Sequence, residues 1–324
     1  MENSSRVFTV SLNTSLDRTF CLDRLVFGDI NRVRNSRLDA GGKGLNVARM
    51  LHLLNDRVCA VACLGGHNGL LVRALVRAEG VAIRMIKTSG ETRNIFNFIE
   101  KTTGRVLRIN EPGPAFSEKE RQALFQYLSR LRLQSEDMVV LSGSLPPGLP
   151  VATYREIINL LKPRTSWITL DADGMVLKEG VKAGPWLIKP NLWELQRLLG
   201  QKVTSPAGLI RLCHGLLNRN GLRLILLTLG NQGAVAVSPE ETVWARPPRI
   251  KPVSEIGCGD AFLAGFLHGW RQTQSLKESL KLAVACGTAK VTCAGTSMPS
   301  RRQVFALKDR VRLLSPDRMK FSPG

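Results

Sequence analysis

Ile256-Gly257-Cys258-Gly259-Asp260-Ala261-Phe262-Leu263-Ala264-Gly265 brings a glycine turn, an acid and the start of an apolar helix into one short stretch. Gly257 and Gly259 let the backbone turn tightly and leave N–H groups uncovered, and residues 261–270 have the apolar content of a buried helix. Free N–H groups at a helix N-terminus attract anions. Asp260 stands inside that positive pocket, where a carboxylate repels a phosphate unless it has another role, such as taking a proton from a substrate hydroxyl. Taken alone, the stretch is equally an ordinary strand-to-helix turn with Asp260 as its N-cap. Only the rest of the chain separates the two readings.

A chain of 324 residues with 44% hydrophobic content builds one large core, slightly above the usual single-domain size. No apolar run approaches the ~18 residues of a membrane span, and residues 1–6 are polar with only a short apolar run behind them. The expectation is a soluble cytoplasmic protein with no secretory signal and no membrane partner. Seven cysteines, an odd number without a C-x-x-C pair, fit free thiols in a reducing compartment better than a disulfide framework or a zinc site. The 46 Lys+Arg against 26 Asp+Glu give a formal charge of +20, which favours anionic partners. These basic residues are scattered, for example at Arg73, Arg77, Arg84, Lys87, Arg301 and Arg302, with no block interleaved with aromatics. That distribution argues for small phosphates and against a dedicated nucleic-acid surface.

Beyond the opening stretch, strand and helix patterns alternate along most of the chain. Residues 7–12 read as a first buried strand, ending in the polar tip Asn13-Thr14-Ser15-Leu16-Asp17. Asp17 either faces a ligand or caps a turn. Gly41-Gly42-Lys43-Gly44 opens a helix over 45–55, a second glycine-rich helix start that has neither the Walker A nor the Rossmann spacing. Lys43 and Asn46 face whatever lies there, or are solvated. The broken pieces of 18–39 and a hairpin after Thr92-Arg93-Asn94, strands 95–100 and 106–109, read as a small peripheral sheet. Further strands end in Ser142-Gly143-Ser144, in Asp171, in Lys189-Pro190-Asn191 and in the turn Thr228-Leu229-Gly230-Asn231-Gln232-Gly233. Helices are expected over 276–293 and 301–313. The alternation predicts a mainly parallel sheet with helices on both faces and functional residues at the carboxyl ends of strands.

Four motifs, in order and spacing, resemble the ribokinase-like, PfkB-type sugar kinases. They are Gly41-Gly42-Lys43-Gly44-Leu45-Asn46, Ser142-Gly143-Ser144-Leu145-Pro146, Lys189-Pro190-Asn191-Leu192-Trp193-Glu194 and Gly257-Cys258-Gly259-Asp260. Leu12-Asn13-Thr14-Ser15-Leu16-Asp17, Gly90-Glu91-Thr92-Arg93-Asn94 and Ile109-Asn110-Glu111-Pro112-Gly113-Pro114 are similar to the branch of 1-phosphofructokinases and tagatose-6-phosphate kinases.

The resemblance implies a single α/β kinase domain over 1–324: a three-layer sandwich with a mainly parallel central sheet, and a β lid formed by about 18–40 and 92–111 that doubles as a homodimer contact. It implies ATP-dependent phosphorylation of a ketohexose phosphate, with fructose 1-phosphate as the leading acceptor and tagatose 6-phosphate or fructose 6-phosphate as alternatives. In this reading Asp260 is the base, and the amides of Gly257, Cys258 and Gly259 receive the transferring phosphoryl group. Asn191 and Glu194 organise Mg2+ through water, Lys189 neutralises the triphosphate, and Thr228, Gly230 and Gly233 turn beside the nucleotide. Asp17, Asn46, Asn94 and Ser144 line the sugar, Gly42 permits its close approach, and Lys43 with Arg93 holds its phosphate.

Cys258 and Ala261 depart from the family's usual Gly-Ala-Gly-Asp-Ser, and Thr14 replaces its usual proline. A helix N-terminus favours thiolate, so Cys258 is expected to react with thiol reagents. Competing readings are a kinase for an unphosphorylated sugar and a non-catalytic sugar-phosphate sensor. Lys43 and Arg93 speak against the first, and retention of Asp260 together with Lys189, Asn191 and Glu194 against the second.

Overall fold

The structure, a computed structural model, describes residues 5–315; residues 1–4 and 316–324 of the expected domain, including most of its polar start, lie outside the described residues. In chain order the first strands are β1 (Val7–Ser11), β2 (Ser15–Leu22), β3 (Asn35–Gly41), β4 (Val58–Gly65), β5 (Ala82–Thr88), β6 (Arg93–Glu100) and β7 (Val106–Asn110). They are followed by β8 (Met138–Ser142), β9 (Ile168–Asp171), β10 (Leu187–Ile188), β11 (Leu224–Thr228), β12 (Ala234–Val237), β13 (Thr242–Arg246) and β14 (Arg312–Leu314). Between them run α1 (Lys43–Leu53), α2 (Gly66–Ala78), α3 (Glu118–Ser129), α4 (Thr153–Leu161) and α5 (Gly174–Val181). The later helices are α6 (Leu192–Leu199), α7 (Pro206–Asn220), α8 (Cys258–Thr273), α9 (Leu276–Val291) and α10 (Arg301–Lys308).

The main sheet has ten strands in the order β14-β13-β12-β11-β10-β9-β8-β1-β4-β5. The seven from β11 to β5 run parallel, and β12, β13 and β14 add antiparallel neighbours at one edge. Runs such as Val7–Ser11 and Met138–Ser142 are buried throughout, because helices cover both faces of a parallel sheet. Successive side chains point to opposite faces, which splits the core in two. Val7 and Val140 join Val47, Leu263, Phe266 and Ala283 on the side of α1, α8 and α9, whereas Phe8 and Leu141 join Leu124, Tyr154, Ile157 and Leu217 on the other side. Each buried Val, Leu, Ile or Phe side chain among them contributes about 1.5–3 kcal/mol by leaving water. The expected three-layer α/β architecture is therefore present.

The segments expected to form the lid build a separate four-stranded sheet, β3-β2-β6-β7. Its strands begin nearer the main body than expected: β2 starts at Ser15, just after β1, and β3 ends at Gly41, just before α1, with Ser15 paired to Gly41. Lid and site therefore share one root. β6 joins β2 in parallel, from Ser15 beside Arg93 to Leu22 beside Glu100.

One expected helix is shorter than its pattern. α10 ends at Lys308, and Arg312–Leu314 forms β14, pairing antiparallel with Trp244, Ala245 and Arg246 of β13. The open edge of β13 offers backbone partners that outweigh the local helical preference, and only the tertiary fold supplies that edge. No helix among the described residues is long and apolar enough to cross a membrane.

Candidate active site

Most helices of this chain are closed by a side chain: Ser117, Asp173, Asn191, Ser205, Ser275 and Ser300 each accept from a backbone N–H at their own helix start. α1 and α8 start differently, on Gly42 and Gly257, with no side-chain cap at either. Gly257 has φ 74° and Gly42 φ 116°, conformations that a residue with a Cβ adopts only under strain. No side chain among the described residues takes their first amides, and Cys258 N reaches only the Glu255 carbonyl, at 3.4 Å, so both starts are suited to receive a ligand.

The structure resolves the ambiguity over Asp260. The N-cap of α8 is Gly257, and Asp260 lies in the first turn with its side chain buried at 6% exposure. Its Oδ2 accepts a hydrogen bond of 2.8 Å from Nδ2 of Asn46 on α1, so the two uncapped helix starts meet at the acid. Burial pushes the Asp260 carboxyl up, nearby Asp171 pushes the same way, and Lys43, Asn46 and Lys189 pull it back. A carboxylate raised towards neutrality while held by a single amide is suited to accept a proton.

Asp171, the acid that ends β9, organises the cations, and the sequence motifs assign it no role. It is fully buried; its Oδ1 takes Lys43 Nζ at 3.1 Å and Lys189 Nζ at 3.3 Å. Burial works to raise its pKa, but the two ammonium groups win and hold it below the usual carboxylate range. Asp171 in turn raises Lys43, more than burial lowers it. The signal in the sequence was its position, an acid closing a buried strand. Lys43, expected beside Arg93, is thereby joined to Lys189. A Cβ added to Gly259 would lie 3.4 Å from Lys189 Nζ, which places that cation against the α8 turn.

The Lys189-Pro190-Asn191 step leads into α6. Asn191 Oδ1 accepts from Glu194 N and Glu194 Oε2 accepts from Asn191 N, both at 2.8 Å, a reciprocal capping box. Thr228 lies directly alongside, bridged to Asn191, its N–H donating to the Pro190 carbonyl at 3.1 Å. Gly230 opens a 3-10 turn over Gly230–Gln232 with open space around its Cα. Gly233 closes that turn, and a Cβ there would sit 1.9 Å from the Ala245 carbonyl oxygen. Hairpin packing alone therefore requires glycine at Gly233.

The other predicted residues gather under the lid. Asp17 is on β2, not in a turn; it is buried, its Oδ1 accepts from Ser15 Oγ at 2.7 Å, and Gly41 is small because the same carboxylate presses on it. Burial raises Asp17 to about 6, Ser15 works against this, Asp39 adds to it and Arg93 opposes it. Arg93 donates to the carbonyls of Glu111 at 3.0 Å and Asn13 at 3.1 Å, while its buried Nε has no partner among the described residues. Ser144 Oγ accepts from Asn13 Nδ2 at 3.2 Å. Asn94 is committed elsewhere: its Oδ1 accepts from Arg18 and Asn68, and its Nδ2 donates to Glu111, all within the root of the lid. Its part is to fix the strand that carries Arg93.

Two departures from the family pattern are resolved. Thr14 donates to the Cys63 carbonyl at 2.6 Å, a tether proline lacks. Cys258 is not activated: burial pushes its thiol up to about 12, overriding Lys290 and the helix start, and its Sγ lies 3.6 Å from the Ser254 carbonyl. The expected thiolate reactivity is corrected by this desolvation. All seven cysteines are unpaired.

The model of the pfkB family carbohydrate kinases matches residues 10–302 of the chain. This protein belongs to the PfkB family of carbohydrate kinases. It is 32% identical over 302 residues to a 1-phosphofructokinase of Rhodobacter capsulatus, covering 93% of this chain and 95% of that protein. It is 34% identical over 283 residues to a tagatose-6-phosphate kinase of Staphylococcus epidermidis, covering 87% of this chain and 90% of that protein. The crystal structure of phosphofructokinase-2 from Escherichia coli in complex with substrates and products superposes with a TM-score of 0.89 at 26% identity, over 94% of this chain and 99% of that one. As a PfkB kinase the chain is a phosphotransferase acting on an alcohol group, and the ribokinase-like fold is the expected one.

Proposed function

We propose that this PfkB kinase transfers the γ-phosphoryl group of ATP to a ketohexose phosphate, with fructose 1-phosphate as acceptor and fructose 1,6-bisphosphate as product. The observation that carries a phosphorylated acceptor is Arg93, whose guanidinium sits under the lid near Asp17 with a buried, unpartnered Nε. A buried guanidinium donor without a partner costs free energy, and a phosphate oxygen removes that cost. A sugar lacking a phosphate leaves it unmet.

In the reaction, an acceptor hydroxyl loses its proton to Asp260 as its oxygen bonds to the γ-phosphorus, and the bond from that phosphorus to the ADP oxygen breaks. The amides of Gly257, Cys258 and Gly259 take the charge on the transferring group, and Lys189 and Lys43, aligned on Asp171, neutralise it from the nucleotide side. Asp17, Gly42, Asn46 and Ser144 orient the sugar. Asn191, Thr228 and Gly230 border the nucleotide.

The donor set around the α6 cap fits a cation that keeps most of its water. Glu194 commits Oε2 to the cap, and no group of three His, Cys, Asp or Glu among the described residues gathers to hold an ion unaided. Asn191 and Glu194 would hold Mg2+ through water, where it would supply charge neutralisation for the nucleotide phosphates.

The lid offers a self-association face. All of β7 is exposed, with Val106, Leu107 and Ile109 apolar on it, and Phe27 and Ile30 protrude at 87% and 73% exposure. These surfaces support a homodimer joined through the lid, and unpaired cysteines suit a reducing cytoplasm.

The deciding experiment is a coupled ADP-release assay with fructose 1-phosphate, tagatose 6-phosphate, fructose 6-phosphate and free fructose at equal concentration. The highest kcat/KM for fructose 1-phosphate is expected. Preference for another of the three reassigns the acceptor, and preference for free fructose removes the phosphate role of Arg93.

A further inference from the structure

One buried charge plays no part in the reaction as described. Lys290, near the end of α9, has 0% exposure and is one of the largest fully buried side chains of the protein. Its Nζ donates to the Gly295 carbonyl at 2.6 Å, and no carboxylate lies within ion-pair distance of it among the described residues. Burial pulls its amine below the usual range, and Arg49 adds to that pull while Asp260 and the thiols of Cys258 and Cys293 work against it. An uncompensated internal ammonium is costly, by several kcal/mol in general, so its position needs a reason.

That position is directly behind the anion-binding turn. A Cβ on Gly257 would stand 3.3 Å from Lys290 Cε, with Asn46 Nδ2 and Asp260 Oδ2 at 3.5 and 3.8 Å from the same point. The segment leading into the turn is fastened to the same helix: Val253 and Ser254 both donate to the Val291 carbonyl, at 2.8 and 3.1 Å. The loop that Lys290 holds from the other side is also gripped by Arg49, whose Nη1 donates to the Thr296 carbonyl at 3.2 Å. Lys290 therefore links the loop after α9 to the back of the Gly257–Gly259 turn.

We propose that Lys290 is a positioning residue for phosphoryl transfer, a built-in cation that holds the Gly257–Gly259 turn in register with the 293–296 loop and adds positive charge behind the amides that receive the transferring group. No side chain among the described residues pairs with the charge at ion-pair distance, and the transferring phosphoryl group supplies the missing direct counter-charge. This rests on the reading of that turn as the phosphoryl-binding site. A fixed charge in a water-excluded setting acts most strongly where negative charge develops during the reaction.

The test compares wild type with Lys290→Met and Lys290→Ala for kcat, KM and Tm, each with ammonium or methylammonium chloride against tetramethylammonium chloride at constant ionic strength. The Met variant keeps chain length and removes the charge. It is expected to keep or raise Tm, to lower kcat about 10- to 100-fold and to leave KM for the sugar phosphate within about twofold. The Ala variant opens space for a small cation, and ammonium is expected to recover part of its kcat with no change in Tm. Wild-type kcat in a folded Met variant overturns the proposal. Should the Met variant fail to fold, the Ala variant decides: recovery specific to the small cations supports the role, and its absence overturns it. ATP hydrolysis without acceptor is measured on the same proteins, because it uses the turn and not the sugar pocket. Loss of transfer to all three ketohexose phosphates in wild type then counts against the substrate reading, while the hydrolysis series still judges Lys290.

Discussion

The starts of α1 and α8 are built alike and charged oppositely. Both begin without a side-chain cap on a glycine of positive φ, and a 2.8 Å hydrogen bond from Asn46 to Asp260 joins them. α1 carries Lys43 at its first position, paired to Asp171, whereas α8 carries Asp260 in its first turn, with no cation within salt-bridge distance among the described residues. The start of α2 provides the control. Gly65 likewise supplies no side-chain cap there, but Glu91 reaches over and accepts from the His67 and Asn68 amides. At α1 and α8 no acid plays that part through its side chain. An acid left without a cation at a positive helix start is suited to proton transfer, and a lysine held by a buried acid is suited to act as a fixed charge.

The contrast is broken most directly at α8. Asp260→Asn keeps the amide contact and removes the base, so turnover should fall about 10²–10⁴-fold while ATP binding, read by isothermal titration, persists. Near-normal turnover removes Asp260 from the proton step. At α1 the charge depends on its partner: Asp171→Asn leaves Lys43 and Lys189 without their shared acid, and loss of one member of a buried pair costs about 3–5 kcal/mol. Denaturant unfolding should register most of that, and a variant as stable as wild type shows that the lysines are held by something else.

Arg93→Ala probes the boundary between the two helix starts and the lid. KM for the sugar phosphate should rise about 10- to 100-fold with a smaller change in kcat, the loss of one charge-assisted contact; an unchanged KM puts the acceptor phosphate elsewhere. Asp17 gives a pH signature. Its carboxyl is raised to about 6, so the fold favours its protonated form; that stabilisation is complete below the ordinary value of 3.8 and is lost as pH rises through about 6. The Tm of Asp17→Asn relative to wild type should therefore climb between these two values and level off above them; a gap independent of pH contradicts the shift. The smallest effect is expected at Cys258. With its thiol near 12, Cys258→Ala should leave turnover within about twofold, and thiol reagents should inactivate both proteins at equal rates.

The alternation of buried strands and helices was legible in the chain because parallel strands covered on both faces read as continuous apolar runs, and helix starts announce themselves through Ser, Asn and Gly. Gly257, Gly259 and Asp260, Gly42 and Asn46, and the Lys189-Pro190-Asn191 step were found this way. β14 was not, since residues 312–314 look helical locally and become a strand only against the edge of β13. Lys43 was placed with Arg93 because the family resemblance assigns both to the acceptor phosphate; that it shares Asp171 with Lys189 was visible only in the fold. Neighbours through space, not along the chain, decide which charges pair.

The order of residues was enough to specify the layered α/β fold, the two glycine-rich helix starts and the acid in the second, for those depend on local periodicity and backbone freedom. It took the folded chain to establish that Asp260 is not a cap, that Cys258 stays protonated and that Asp171 and Lys290 stand behind the site. Desolvation and Coulomb forces depend on distance and burial, and neither is written in the order of residues.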